Sequence, residues 1–250
     1  LRFGGQVISV VTLSLFRFPS LPARLWVLGQ MALAPRALRQ DTRCQFFKLC
    51  GSGTGEGFTP RPNWQVWSSL ASWPDAETAQ AAILDNPVYT KWAARAREQF
   101  SLFLSPTSVR GLWSGEQPFA LAAPPQAVAA TGPIAILTRA TLRPRHSLRF
   151  WKRVPKISEA IGRDPNVSFK IGIGEVPFLH QVTFSVWPDV ASMSAFAHRD
   201  GPHAQAIRAV RAGDWFSEEL YARFHVFGTS GHWSGADRAK WPKAMEKDAA

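Results

Sequence analysis

The sequence is poor in cysteine, tyrosine and methionine, with two, two and three residues of these types among 250. The two cysteines, Cys44 and Cys50, form no CxxC pair and no Cys/His ladder. The sequence therefore indicates neither a disulfide framework nor a structural zinc site. So few thiols are typical of a reducing compartment, and we expect the chain to be cytoplasmic.

Acidic residues and long apolar runs are also scarce. The chain has 18 Asp and Glu against 29 Lys and Arg, which gives a formal net charge of +11. The longest uncharged stretch, residues 117–138, contains four prolines, so it predicts a linker rather than a membrane-spanning helix. The first residues lack the pattern of a secretory signal peptide. We expect a protein that is soluble or peripheral to a membrane.

Two copies of one pattern organise the chain. A WPD string at 73–75 recurs at 187–189, and a WSG string at 113–115 recurs at 233–235, in the same order. Hydrophobic periodicity in each copy predicts strand, helix, strand, strand, helix and strand. The predicted parts are a first repeat at 7–116, a Pro/Ala-rich linker at 117–132, a second repeat at 133–235 and a tail at 236–250.

This β-α-β-β-α-β order is that of the ferredoxin-like fold, whose sheet has helices on one face and needs cover on the other. Two tandem copies can cover each other. We therefore predict an α+β protein in which two ferredoxin-like repeats pack sheet to sheet as an intramolecular dimeric α/β barrel, with a cavity between sheet and helices in each half. The alternative is two independent domains with polar outer faces.

A glycine-rich segment, GSGTGEG at 51–57, invites comparison with phosphate-binding loops. It matches neither GxGxxG nor GxxxxGK[ST]. A similar run, IGIGE at 171–175, lies at the same place in the second repeat. A structural turn or bulge is the favoured interpretation.

All six histidines lie in the second repeat, an asymmetry that a shared structural need does not explain. His203 follows Gly-Pro at a predicted helix start, with apolar residues four and seven positions later, so the spacing aims it at the cavity. Its counterpart in the first repeat is Val88. His198, closing the preceding predicted helix, and His180, beginning a predicted strand opposite Val66, are further candidates. A packed or capping histidine remains the alternative for each.

One histidine facing an apolar cavity suits haem, which brings four nitrogens and needs one axial ligand. No HxxxH or HExxH pair supports a zinc or non-haem iron site. Arg199 and Arg208 flank His203 and could meet haem propionates, or could lie on a solvated helix face. Ligation by the Cys50 thiolate, at a position aligned with Gly172, is a further alternative without a supporting motif.

The first predicted helix of each repeat is basic and rich in Leu, Phe and Trp. Five arginines and no acidic residue precede Asp41. Such helices suit an anionic membrane surface. Plain solvated helices and nucleic-acid binding are the alternatives, but no RNA- or DNA-binding motif is present, so we expect no nucleic-acid partner.

Several strings, among them RFWKRVPKI, DPNVSFKIGIGEVPFLHQVTFSVWPD and GPHAQAIRAVRAGDWFSEELYARF, resemble the spheroidene monooxygenase family of carotenoid ketolases from purple phototrophic bacteria. The resemblance spans about residues 10–235. It implies hydroxylation and then oxidation at C-2 of acyclic carotenoids to the 2-keto product, with haem, O2 and a reduced ferredoxin-type electron donor. It also implies a cytoplasmic enzyme peripheral to the photosynthetic membrane. The rival interpretation is a cofactor-free tandem ferredoxin-like oxygenase or a hydrophobic-ligand-binding protein.

Overall fold

The computed structural model describes residues 9–55, 59–121, 132–152, 164–197, 213–234 and 236. In these residues the strands are β1 Val10–Arg17, β2 Phe46–Gly53, β3 Pro62–Trp73, β4 Glu98–Gly111, β5 Ile134–Leu142, β6 Phe169–Gly174, β7 His180–Trp187 and β8 Phe216–Gly231. The helices are α1 Leu21–Gln40, α2 Ala76–Asp85, α3 Pro87–Ala93, α4 Ser147–Trp151 and α5 Val190–Ala197. A short 3₁₀ turn at Pro144–His146 leads into α4.

The eight strands form one closed barrel in the order β1-β3-β2-β6-β7-β5-β8-β4, and every pair is antiparallel. The strand order β4-β1-β3-β2, the first half-sheet, has the same form as β8-β5-β7-β6, the second half-sheet. The two half-sheets join where β2 pairs with β6 and where β4 pairs with β8. This architecture confirms the α+β prediction as an eight-stranded antiparallel barrel with helices.

Apolar side chains fill the inside of the barrel, because alternate residues of every strand point inward. The inward set from both half-sheets forms one buried cluster that includes Val11, Leu13, Leu15, Phe100, Leu102, Leu104, Leu137, Phe184, Val186, Phe224 and Val226. Phe119, from the segment that follows β4, packs into the same cluster against Phe224 at 5.4 Å between ring centres. The interior is therefore a packed core, which leaves the outer faces for binding.

Helices α1, α2 and α3 cover the outer face of the first half-sheet. Phe16 of β1 lies 5.3 Å from Trp92 of α3 and 6.4 Å from Tyr89, measured between ring centres. Trp67 and Trp73 of β3 belong to the same buried cluster. Large aromatic side chains thus fill the whole space between sheet and helices in this half.

The two WPD strings each end a strand and start a helix. The carboxylate of Asp75 accepts a hydrogen bond from the backbone N–H of Thr78 at 2.7 Å, capping α2. Asp189 accepts from the N–H of Ser192 at 2.7 Å before α5. Aspartate at this position satisfies one of the unpaired donors of the first helical turn. The repeated string is therefore a local folding signal.

Each end of the barrel is closed by a tryptophan from one half that charged residues of the other half hold in place. Trp113 follows β4, and the guanidinium carbon of Arg139 on β5 lies 5.7 Å from its ring centre. The next two backbone N–H groups, of Ser114 and Gly115, donate to Glu218 of β8 at 2.8 Å. Arg139 pairs with the same carboxylate and is only 2% exposed.

The opposite end has the same arrangement with the halves exchanged. Trp233 follows β8, and the guanidinium carbon of Arg17 on β1 lies 4.5 Å from its ring centre. Glu98 of β4 pairs with Arg17 at 3.2 Å and accepts two hydrogen bonds from Ser234 at 2.9 Å. The two WSG strings are thus reciprocal plugs, each supplied by one half and bound by the other.

Glycines two residues before these tryptophans make the plugs possible. Gly111 has φ of +96° and Gly231 has φ of +82°. A Cβ at Gly111 would collide with the carbonyl oxygen of Glu219, and one at Gly231 with that of Gln99. Only glycine combines this backbone conformation with such a close approach.

The pairing register corrects the alignment of β2 with β6 by one residue. Cys50 pairs with Ser68 on β3, and Ile173 pairs with Val182 at the matching place on β7. Cys50 therefore matches Ile173, and the predicted match with Gly172 is wrong. A shift of one residue exchanges the two faces of a strand, so Cys50 points into the barrel whereas Gly172 lies on the outer face.

The glycine-rich segment at 51–57 continues strand β2 over its described part. A register shift between Gly51 and Ser52 confirms the predicted bulge. Residues 56–58 lie outside the described residues.

We expect Gly111→Ala and Gly231→Ala each to lower the free energy of unfolding by roughly 2 kcal/mol or more, because both introduce a backbone collision at positive φ. For a chain of this size, thermal unfolding should begin at least about 4 °C lower. Gly29→Ala in α1 is the matched control, since a Cβ there has nothing within 4 Å. The control should be neutral or gain up to about 1 kcal/mol. Equal midpoints for all three variants would contradict the plug geometry.

Candidate functional site

His180, one of the predicted site residues, lies at the start of β7 beside the Trp113 plug. Its Nδ1 is 3.4 Å from Oε2 of Glu175. The same carboxylate accepts a hydrogen bond from Nε1 of Trp113 at 2.8 Å and pairs with Nζ of Lys48 at 3.2 Å. Glu175 is therefore held by residues of the first half and presents one oxygen to the imidazole. The imidazole of His180 therefore lies beside a carboxylate that other residues hold in place.

An apolar groove runs past His180 on the outside of the barrel, where β2 meets β6. The groove encloses about 300 Å³, within the range of small-molecule sites. Its walls come from both halves of the chain: Leu28 and Met31 of α1, Trp64 and Trp67 of β3, Trp151 of α4, and Phe178 in the loop before β7. The groove thus offers an aromatic-lined surface on the outside of the barrel, whereas the interior is a packed core.

At three positions of its outer face, the second half-sheet carries a smaller or more polar residue where the first half-sheet carries a large one. In the first half Phe16 pairs with Trp67, and the matching pair in the second half is Ala140 with Gln181. On the neighbouring strand Leu49 is matched by Gly172. We call Thr138, Ala140, Gly172, Thr183 and Ser185 the small-residue face.

The matching strands β4 and β8 also differ, since a polar residue of β8 stands where β4 has a large apolar one. Phe103 pairs with Thr12 in the first half, and the matching partner of Ile136 in the second half is Arg223. A pocket of about 600 Å³ lies along this side, lined by Ile136, Tyr221, Arg223 and, from α5, Met193. The second half-sheet thus has a pocket beside Arg223, the residue that matches Phe103 of the first half-sheet.

The predicted haem ligands and propionate partners, His203, His198, Arg199 and Arg208, lie outside the described residues. In the sequence, His198 directly follows the last residue of α5. Among the described residues, no cluster of three or more His, Cys, Asp or Glu could hold a metal ion. A cofactor with a single protein ligand needs no such cluster.

The remaining described histidines lie apart from the groove. His146 stacks on Trp215 with 5.9 Å between ring centres. His225 lies on β8, and burial lowers its pKa. His232 is exposed at the turn before Trp233. The described structure therefore brings one predicted histidine, His180, to a cavity.

Cys50 is fully buried inside the barrel, and burial raises the pKa of its thiol well above the usual range. These surroundings disfavour a thiolate, and they leave no cavity beside the sulfur for a cofactor. Cys44 lies in the first half, where burial, with a contribution from Asp41, raises its pKa to about 12. Both thiols are therefore protonated at neutral pH.

Comparison with known proteins identifies the family. No protein-family profile matches the chain. The chain is 50% identical over 244 residues to the spheroidene monooxygenase of Rhodobacter capsulatus, covering 96% of this chain and 99% of that protein. It is 53% identical over 228 residues to the spheroidene monooxygenase of Cereibacter sphaeroides, covering 91% and 69%. The chain belongs to the spheroidene monooxygenase family. Like those relatives, it is a monooxygenase.

Among solved structures, an aldoxime dehydratase in complex with butyraldoxime, OxdRE, has a TM-score of 0.63 to this chain. The two are 11% identical, and the match covers 97% of this chain and 88% of the dehydratase. At this identity the likeness shows a shared fold alone. For this member of the spheroidene monooxygenase family it supports the closed barrel described above.

Sequence reasoning missed several residues of the site. Glu175 was part of a glycine-rich comparison, and Trp64 and Phe178 were ordinary aromatic residues in a chain with 11 Trp and 17 Phe. The WSG string at 113–115 was the available signal for this part of the site, because its tryptophan, Trp113, donates a hydrogen bond to Glu175. In the part of the chain that the structure describes, no helix is long and apolar enough to cross a membrane.

We expect neither cysteine to react readily with a disulfide reagent such as DTNB at pH 8 in the native protein, because thiolate is the reactive form and both thiols stay protonated. In guanidinium chloride both cysteines should react at once, which gives a total of two reactive thiols per chain. The release of thionitrobenzoate over time measures this difference. Rapid labelling of one equivalent in the native protein would contradict the burial described here.

Proposed function

We propose that the chain hydroxylates C-2 of a spheroidene-type acyclic carotenoid and then oxidises the same carbon to the 2-keto product, using O2, haem and a reduced ferredoxin-type electron donor. The observation that carries this proposal is the contrast between the two outer faces. The first carries Phe16, Leu49 and Trp67, whereas the second carries the smaller or more polar Ala140, Gly172 and Gln181 at the matching positions. A family relationship supplies the carotenoid as the substrate class.

The two halves are, on this proposal, tandem ferredoxin-like repeats that form an intramolecular dimeric barrel. The identical strand order of the half-sheets supports this view. The exchanged plugs, each with glycine, tryptophan and serine at the same spacing, support it further. In this arrangement the second repeat is free to hold a cofactor while the first repeat acts as a packed scaffold.

The described residues of the second half fit haem as a flat cofactor with polar edges. Side chains of the small-residue face are short enough for a planar ring to approach the sheet. Arg223 lines the neighbouring pocket, where a guanidinium would suit a propionate. His203, with His198 as the second candidate, would supply the axial nitrogen, and Arg199 and Arg208 would add positive charge. Haem, when bound, supplies the binding and activation of O2.

The reaction balances as two successive hydroxylations. Each round consumes one O2, two electrons and two protons, puts one oxygen atom into a C–H bond at C-2 and releases the other as water. The second round gives a geminal diol, which loses water to form the ketone. The apolar groove would keep the hydrocarbon chain out of water, and His180 lines it beside Glu175.

Helix α1 would dock the enzyme on an anionic membrane. Leu21, Leu25 and Leu28, spaced four and three residues apart, form an exposed stripe, and Leu21 is 66% exposed. Arg24 and Arg36 lie on the same helix, and its first turn contains no acidic residue. An apolar stripe with flanking positive charge is the pattern of an interfacial helix. A carotenoid dissolved in the bilayer would then be within reach of the groove.

The haem proposal predicts a Soret band in protein expressed with added haem, with a shift on reduction under CO. His203→Ala should lose most of the bound haem and the conversion of spheroidene, because the axial ligand is gone. His232→Ala is the matched control, and it should retain both. The haem content is measured by pyridine haemochrome and the product by chromatography.

A colourless protein that still converts spheroidene would overturn the haem proposal and favour the cofactor-free oxygenase. Full haem content and normal conversion in His203→Ala would instead exclude His203 as the haem ligand. His198→Ala would then be the decisive variant.

The membrane proposal predicts binding to vesicles that contain phosphatidylglycerol and weaker binding to pure phosphatidylcholine. Leu21→Ser together with Leu25→Ser should weaken vesicle binding at least about tenfold, because two leucines that would enter the bilayer are lost. Leu84→Ser is the control, since Leu84 is similarly exposed but lies on a different helix, α2. Co-sedimentation measures the bound fraction. Equal binding by both variants would show that α1 is not the docking surface.

A further inference from the structure

The aromatic groove at the β2–β6 junction has features of a binding site for one particular kind of ligand. Its aromatic rings form two pairs, one from each half of the chain. Trp64 and Trp67 have ring centres 6.5 Å apart, and Trp151 and Phe178 also have ring centres 6.5 Å apart. Trp64 is 51% exposed and Phe178 is 49% exposed. Both rings therefore belong to a binding surface rather than to the core. Large exposed aromatic residues on both walls of a groove mark a ligand surface.

Phe178 is held in a strained backbone conformation. Its φ is +66°, in the left-handed region that a bulky residue rarely adopts. Its carbonyl accepts two hydrogen bonds, one from Nε1 of Trp151 at 2.9 Å and one from the hydroxyl of Ser147 at 3.0 Å. Because the ring remains half-exposed, burial does not offset the strain. Strain of this kind concentrates at functional sites, and here it presents the ring to the groove.

The charge of the lining selects a neutral ligand. The chain carries 29 Lys and Arg, yet none of them is among the described residues that line the groove. Among the described lining residues the one carboxylate, Glu175, is paired with Lys48 and accepts a hydrogen bond from Trp113. A phospholipid headgroup would find no cation among these described residues. A neutral conjugated chain would stack on the aromatic faces.

The groove ends next to the small-residue face. Gly174 and Gln181 line the groove, and two residues further along the same strands lie Gly172 and Thr183. Residues two apart on a strand face the same side, about 7 Å from each other. The end of a chain lying in the groove would therefore point toward the small-residue face.

We propose that this groove binds the conjugated chain of the carotenoid, with its end directed over Gly172 and Thr183. The inference rests on the proposed function for the identity of the ligand. It adds the place of binding, the aromatic residues that hold the polyene, and the direction from which it enters. Leu28, at the rim of the groove, belongs to the exposed stripe of α1, so the entrance opens beside the docking surface.

Binding without turnover tests this proposal. The full-length protein is titrated with spheroidene in detergent micelles, without a reductant, and quenching of tryptophan fluorescence reports binding. Trp64→Ala and Phe178→Gly should each weaken binding at least about tenfold, because each removes a stacking face. Phe178→Gly relieves the strained φ, so its thermal midpoint should equal or exceed that of the wild type. Leu84→Ala is the control and should bind normally.

The outcomes separate this proposal from the proposed function. Unchanged affinity in Trp64→Ala and Phe178→Gly, with spheroidene still converted, would show that the groove is not the carotenoid-binding site. The proposed function would be unaffected by that result. A wild-type protein that converts no carotenoid but binds spheroidene through these residues would overturn the function alone. Equal quenching by phosphatidylglycerol micelles that contain no carotenoid, lost in the same variants, would show a lipid site and also overturn the proposal.

Discussion

The exchange of tryptophan plugs between the two halves is the contact on which the rest of the structure depends. Trp113 is bound by Arg139 and Glu218 of the second half, and Trp233 by Arg17 and Glu98 of the first. A buried guanidinium is stable only when its charge is paired and its donors are bonded. Each half thus supplies the tryptophan that packs on the guanidinium of the other half's ion pair, and the barrel closes without exposed strand edges.

Closure of the barrel determines where binding can occur. The middle of the barrel is filled, and the aromatic groove that could hold an elongated ligand lies on the outer surface. The filled face of the first half-sheet gives rigidity, because Phe16, Trp67 and Trp92 interlock there. In the second half-sheet, the smaller Ala140 and the polar Gln181 stand at the positions of Phe16 and Trp67. The groove lies at the boundary between these two faces.

Much of the fold could be predicted from the sequence, because its signals are local. The WPD strings cap helices, the alternating runs form strands, and the glycine-rich run at Gly51 contains a bulge. The register of β2 could not be predicted, since a slip of one residue leaves the hydrophobic pattern of FFKLCG nearly unchanged. Pairing with β3 decides it, and this pairing puts Cys50 rather than Leu49 inside the barrel.

The site was less predictable than the fold, because residues far apart in sequence form it. His180 was a candidate from its asymmetric place among the repeats. Its partner Glu175 and the groove residues Trp64 and Phe178 had no motif, and the positive φ of Phe178 leaves no mark in the sequence. His203 and His198 stay predictions, since they lie outside the described residues.

The placement of the two thiols bears on how such an enzyme survives its own reaction. An oxygenase generates oxidants, and sulfur is oxidised most readily as an exposed thiolate. Cys50 points into the packed barrel and Cys44 lies in the first half, so neither is on the small-residue face. Their raised pKa values keep them protonated as well. Both thiols are thus kept protonated and away from the small-residue face, conditions that disfavour their oxidation.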